Sequence, residues 1–161
     1  MLESTLSITH AQADDWRRLR TLRLAALAES PEMFGSTLTR ERAFDEEEWR
    51  KRAQRPATFL ASRSGDDIGL AGVHEFDGQW TVVSMWIAPT VRGSGIVDAL
   101  MEACEKAVRE AGSEVITLGV MEDNRAGRSA YHRLGFQPTG RRDHVREDRY
   151  ELWMAKPLRG G

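Results

Sequence analysis

Arg92-Gly93-Ser94-Gly95 has the residue types of an anion site, lying between a β-branched apolar run and an amphipathic one. Glycine lets the backbone approach a ligand closely, and the first N–H groups of a following helix have no intrahelical partner. The positive end of the helix dipole stands behind them and Arg92 adds a full charge nearby. That combination suits the pyrophosphate of a nucleotide-like cofactor. Ser94 offers a hydroxyl or its backbone to a phosphate. It is not a nucleophile elbow, which needs Gly-x-Ser-x-Gly on a strand-to-helix turn. A second stretch, Asn124 to Phe136, carries a helix-capping asparagine, a tyrosine at Tyr131 and a glycine stop at Gly135.

Three glycine-loop chemistries compete for the first stretch. The phosphate loop of nucleotide triphosphatases needs Lys-Ser or Lys-Thr after its last glycine, where this chain has Ile96-Val97. A dinucleotide fingerprint needs a third glycine where Asp98 stands, and that carboxylate would face the phosphates. The third is the acetyl-coenzyme A loop. Arg92-x-x-Gly95-x-Val97 resembles the Gln/Arg-x-x-Gly-x-Gly/Ala signature of the GNAT-type N-acetyltransferase superfamily, with Val97 in place of the usual small residue. The segment Asn124 to Phe136 resembles that superfamily's second signature, in register at Asn124, Tyr131, Gly135 and Phe136, with Gly127 for Ala and Ala130 for Leu.

The resemblance implies an acetyl-coenzyme A-dependent enzyme acting on a primary amine, with no metal. It implies that the backbone of Met85, Trp86 and Ile87 holds the pantetheine arm, that Arg92, Gly93, Ser94, Gly95, Ile96 and Val97 hold the pyrophosphate, and that Asn124 contacts the arm from the other side. Tyr131 stands where the family carries the acid that protonates the departing thiolate. The alternative for Tyr131 is a core tyrosine with a structural hydrogen bond. The base is open: no acidic residue lies between Gln79 and Pro89, and Glu75, His74, Glu122 or a water chain are the candidates. The other functional class is a non-catalytic acyl-coenzyme A-binding sensor or scaffold. Homodimers are common among such proteins, and the sequence neither supports nor opposes one.

These residues need elements to position them. Val82 to Ile87 reads as a buried strand ended by Pro89. Ile96, Val97, Leu100, Met101, Cys104, Ala107 and Val108 form one helical face, with Asp98, Glu102, Glu105 and Arg109 on the other. Upstream, Thr5 to Thr9 reads as a strand, and a helix follows Asp14-Asp15 and ends near Ser30-Pro31. Residues 32–37 read as a loop, and Asp45 to Arg52 as a helix. Met33, Phe34 and Trp49 either close the core or wall a substrate pocket. Thr58 to Ala61, Ile68 to Phe76 and Trp80 to Ala88 form an antiparallel meander, turning at Gly65 and at Asp77-Gly78. Glu114 to Val120 is a strand parallel to the last of these. Phe136 to Gly140 and Tyr150 to Ala155 are the final strands, with residues 141–149 a charged, mobile loop. The expected fold is mixed α/β, a mostly antiparallel splayed sheet of roughly seven strands with four helices, in one domain over residues 1–161. Residues 30–39 and 141–149 are expected to build the acceptor pocket.

Composition excludes several classes. At 161 residues the chain is of one-domain size, and a net charge of −2 with interleaved signs calls for neither nucleic acid nor an anionic membrane. Apolar runs are too short to span a bilayer, and Met1-Leu2-Glu3-Ser4 lacks the layout of a signal peptide, so a cytoplasmic protein is expected. The single cysteine, Cys104, excludes an internal disulfide and reads as a buried structural thiol. His10, His132 and His144 have no partner at metal-ligand spacing and read as surface or packing residues.

Overall fold

The computed structural model describes residues 5–158, and the charge layout read from residues 1–4 lies outside them. The apolar alternation folds into β1 (Leu6–His10), β2 (Ala57–Arg63), β3 (Asp66–Phe76), β4 (Gln79–Ile87), β5 (Val115–Met121), β6 (Gln137–Arg146) and β7 (Arg149–Pro157). They make one sheet in the order β1-β2-β3-β4-β5-β7-β6, antiparallel throughout except between β4 and β5. Ser64-Gly65 and Asp77-Gly78 turn the meander with positive φ at both residues of each pair, the geometry that matches strand twist in two-residue hairpins.

Among the described residues, five α-helices flank the sheet: α1 (Trp16–Glu29), α2 (Leu38–Arg42), α3 (Glu46–Gln54), α4 (Ile96–Glu110) and α5 (Arg125–Arg133). Leu22, Leu27, Trp49 and Ala53 of α1 and α3 bury against Leu60, Leu70 and Trp86 on one face. On the other face, Leu100, Met101, Cys104 and Val108 of α4 bury against Ala71, Val73, Val82 and Ile116. Among the described residues, no helix is long and apolar enough to cross a membrane.

Two features of the central strands prepare a site. The β4–β5 ladder is two pairs long, Thr81↔Thr117 and Val82↔Leu118, and beyond it the strands part. Just past that point β4 bulges. Leu70 pairs with Trp86 and Gly72 with Val83, so Ser84 and Met85 together oppose Ala71, and Ser84 takes φ 63°. A bulge turns backbone groups out of the ladder, and a non-glycine residue at positive φ is strain of the kind found at functional sites.

Three expectations need correction. Helix α2 is additional to the four expected: it is one turn long, too short for an apolar period, and is fixed by Thr37 accepting from the Arg40 N–H. Residues 141–149 are not a loop, since they continue β6 to Arg146 and turn at Glu147 into β7. An edge strand tolerates charge on both faces, and here the charges find partners: Arg142 lies 3.6 Å over the Tyr150 ring and Arg141 4.4 Å over Trp153. Glu105 is buried rather than outward-facing, because Lys156 of β7 reaches it at 2.9 Å.

Candidate active site

Where β4 and β5 part, a cavity of about 1130 Å³ runs through the sheet. On the α4 side it meets Arg92, Gly93 and Val97, then Asn124 and Tyr131 of α5. Met85, Trp86 and Ile87 line it between the two faces. The two sequence stretches with chemical potential therefore open onto one space.

The loop is built by glycine. Gly93 and Gly95 take φ of 82° and 81°, and Gly95 stands at the N-cap of α4 without a side-chain cap. The Ala99 N–H is the first to find an acceptor within the helix, at Gly95, which leaves the N–H groups of Ile96, Val97 and Asp98 for a ligand. Side chains contribute less than the sequence implies. Ile96 is buried in the core, so only its N–H can serve, and the Ser94 hydroxyl donates to the Val91 carbonyl. Arg92 is committed as a staple: its Nε donates to the Ile87 carbonyl at 2.9 Å and its Nη2 to Glu29 at 2.6 Å. Glu29 also accepts from Ser30 and from Trp86 Nε1. Those hydrogen bonds, Ser30's foremost, and the charge of Arg92 hold its carboxyl below the usual range.

On α5, Asn124 Oδ1 accepts from the Gly127 N–H at 2.9 Å. A Cβ at position 127 would stand 2.5 Å from Asn124 Nδ2, so the glycine makes room for the cap to fold over the helix end. Tyr131 meets Phe136 edge-on, with ring centroids 6.1 Å apart, and burial pushes its phenol up to about 12. It is therefore protonated at neutral pH and available as a donor. Cys104 behind it is buried, and burial pushes its thiol up to about 12, as suits a structural residue.

The cavity continues to the α1–α3 face. Arg23 and Glu41 form a buried bidentate pair there, at 2.8 and 2.9 Å, and Arg23 Nη1 also donates to Ser84 Oγ at 3.3 Å, bracing the bulge. Burial pushes the Glu41 carboxyl up, but the hydrogen bonds and charge of Arg23 outweigh it and hold the group below its usual range. Phe34 and Trp49 both close this core and wall the cavity. The hairpin end of β6 and β7 docks on residues 31–36: Arg146 donates to the Gly35 carbonyl at 2.7 Å, and Arg149 to that of Glu32.

Two of the acidic residues named from sequence do not line the cavity. Glu75 is exposed near the end of β3, and Glu122 is half-buried outside the cavity and paired with Arg142 at 2.5 Å. His74 does line it, its imidazole pKa lowered by burial and by Arg55. Two acidic residues on the lining were missed by sequence reasoning, Asp77 at the β3–β4 turn and Glu151 of β7. The Glu151 carboxyl lies over Gly119 of β5, where a Cβ would come within 2.5 Å of Cδ, and it faces the cavity. Burial, aided by Asp143, raises it above the usual carboxylate range. The signal available in sequence was faint, a glutamate inside the apolar run Tyr150 to Ala155 and a glycine inside an otherwise branched strand.

Comparison with known proteins decides the family. A model of the acetyltransferase (GNAT) family matches residues 19–136. The chain belongs to the GNAT acetyltransferase family. This GNAT protein is 32% identical over 104 residues to an IAA acetyltransferase of Azospirillum brasilense, an alignment covering 62% of this chain and 67% of that one. It is 30% identical to nourseothricin acetyltransferase over 63% of its own length, with a TM-score of 0.59, and spans 65% of that chain. The structure of yncA from Salmonella typhimurium, solved with its cofactor acetyl-CoA, matches 98% of this chain and 96% of its own with a TM-score of 0.79. At 18% identity that likeness is one of fold. As a GNAT member the protein is an acyltransferase with acetyl-CoA as co-substrate. Among the described residues, no group of three or more His, Cys, Asp or Glu is placed to hold a metal.

Proposed function

We propose that the protein transfers the acetyl group of acetyl-CoA directly to a primary amine, with Glu151 as general base and Tyr131 as general acid. The observation that carries this reading is one cavity that reaches both residues, from opposite faces of the sheet, where β4 and β5 part. Residues 1–161 act as one domain in this scheme, and the acceptor enters beside the docked β6–β7 hairpin.

Acetyl-CoA lies with its pyrophosphate on the N–H groups that open α4 and its pantetheine arm along Met85, Trp86 and Ile87, with Asn124 opposite. Arg92 contributes by holding the loop to Glu29 and Ile87. A protonated amine has no lone pair to attack with, so it first loses its proton to Glu151 or to a water that Glu151 holds. The nitrogen then adds to the thioester carbon, and the oxygen gains charge beside the backbone N–H groups turned out by the Ser84–Met85 bulge. As the C–S bond breaks, sulfur leaves with the electron pair and takes the Tyr131 phenolic proton, while the nitrogen, cationic after the addition, gives its second proton to water, from which the phenolate is reprotonated. The products are the amide and free coenzyme A.

The test is thiol release from acetyl-CoA with a panel of amines, using wild type and Tyr131→Phe. Loss of the general acid is expected to lower kcat by about 100-fold or more. Stabilisation by coenzyme A, about 2.7 kcal/mol at a hundred times the Kd, should be unchanged in size. Equal turnover by Tyr131→Phe refutes the acid role. Thiol release with none of the amines, in a protein that coenzyme A stabilises, refutes the amine acceptor.

A further inference from the structure

The cavity wall farthest from the α4 loop has an unbalanced charge. Arg52 and Arg55, at the end of α3, both line it, as do Thr58 and His74. Glu41 is occupied bidentately by Arg23, at 2.8 and 2.9 Å, and lies 3.8 Å from Arg52. Glu48 is shared, at 2.8 Å from Arg52 and 3.4 Å from Arg55. In this cluster around α3 three guanidinium groups therefore stand against two carboxylates, leaving one positive charge in excess there, while Asp77 lines the cavity at the β3–β4 turn. Arg52 is pinned between Glu48 and the Phe44 ring, 4.4 Å from its centroid. Arg55 is the looser one. Among the described residues its guanidinium makes a single hydrogen bond, the 3.4 Å contact to Glu48. Burial and the neighbouring Arg52 push its pKa down, and burial and Arg55 do the same to His74. Burial is the larger cause in both, the neighbouring guanidinium adds to it, and Glu48 and Glu75 respectively oppose it.

The opposite wall has the other sign. Glu151 faces the cavity there with Asp143 close enough to act on it, while Asp143 itself pairs with Arg141 at 2.7 Å. The sheet register sets the span. His74 pairs with Thr81 and Thr81 with Thr117, and Gly119, beneath the Glu151 carboxyl, is two residues further along β5. Two strand spacings across and two residues along place His74 and that carboxyl about 12 Å apart. The cationic wall does not belong to the coenzyme site, because Thr81 lies about 20 Å along β4 from Ile87, where the loop begins.

We infer that the acetyl acceptor is a small zwitterion, a primary amine carrying an anionic group at its far end, with the anion bound at Arg55, Arg52 and His74 while the amine lies at Glu151. With each end about 3 Å from its partner, amine and anion stand roughly 6–12 Å apart. A carboxylate at that distance supplies the missing negative charge. A second ammonium meets the excess positive one, so polyamines and other polycations are poor acceptors. This assignment rests on the amine-acetylation reading.

The experiment compares three amines of equal chain length, ε-aminocaproate, n-hexylamine and hexamethylenediamine, by thiol release from acetyl-CoA. We expect kcat/KM to be at least tenfold higher for the carboxylate than for the neutral amine, with the diamine lowest. In Arg55→Gln the ratio of ε-aminocaproate to hexylamine should fall at least tenfold, and Arg55→Lys should restore part of it. An equal melting shift with coenzyme A in all forms shows that they are folded. Preference for hexylamine or the diamine, or an unchanged ratio in Arg55→Gln, overturns the inference and leaves amine acetylation standing. Turnover of none of the three overturns both.

Discussion

Replacing Glu151 with glutamine should lower turnover without lowering stability, and this dissociation is what distinguishes a base from a structural residue. The carboxyl sits half-buried over Gly119, raised above the usual carboxylate range by burial and then by Asp143. A carboxyl so raised binds its proton more tightly in the folded than in the unfolded chain. Its stabilising contribution is thus present below the unfolded pKa and is lost as pH rises through the folded one. At neutral pH the ionised group is a liability, and glutamine, which carries no charge, should leave the melting temperature equal or higher. Turnover should move the other way. Loss of a positioned general base costs about 100- to 10,000-fold, and the acidic limb of the wild-type kcat/KM profile, lost as pH falls through the raised pKa, should vanish in the variant. Gly119→Ala is the companion experiment. The new Cβ would fall 2.5 Å from Glu151 Cδ and 2.7 Å from Oε2, so the flexible carboxyl must swing away while the strand stays. We expect at least a tenfold loss in kcat with the pH profile displaced. Thiol release across pH 5–9 with a saturating amine, read beside a thermal melt, covers both variants. If Glu151→Gln keeps kcat/KM within about threefold of wild type, or loses activity only in step with its melting temperature, the base assignment is wrong.

Two further perturbations read other parts of the site. Gly127→Ala restores the residue the family signature carries, but its Cβ would strike Asn124 Nδ2 at 2.5 Å and dislodge the cap. The helix-propensity gain of about 1 kcal/mol and the loss of a cap worth about 1 kcal/mol nearly cancel. Stability should hardly change while coenzyme A affinity by calorimetry falls about tenfold; unchanged affinity would free Asn124 from any role at the arm. Glu41→Gln leaves Arg23 charged and buried, and breaking such a pair costs about 3–5 kcal/mol. Urea unfolding at pH 7 should show that loss, and a cost below 1 kcal/mol would sink the argument. Because Arg23 holds the Glu41 carboxyl low, the wild-type contribution is present above the unfolded pKa and disappears as pH falls through the folded one.

Much of this molecule is legible in its sequence because the governing interactions are short-range. Gly93 and Gly95 declare a left-handed loop, Asn124 and Gly135 bracket a helix, Asp77-Gly78 turns a hairpin, and the apolar face of α4 follows its period. Each is fixed by dihedral sterics, an unpaired N–H or a spacing of a few residues. The tertiary structure decided what depends on register between distant segments. Glu151 reaches Gly119 only because β7 inserts between β5 and β6, and Glu75 and Glu122, equally acidic and equally near strand ends, fall outside the cavity. The Ser84–Met85 bulge, the parting of β4 from β5 and the brace of Arg23 on Glu41 leave no local mark, since each is a balance struck between chain segments eleven or more residues apart. The charged stretch 141–149 reads as a loop in isolation and is a strand in the fold, because a sheet edge supplies hydrogen bonds that the sequence alone does not display.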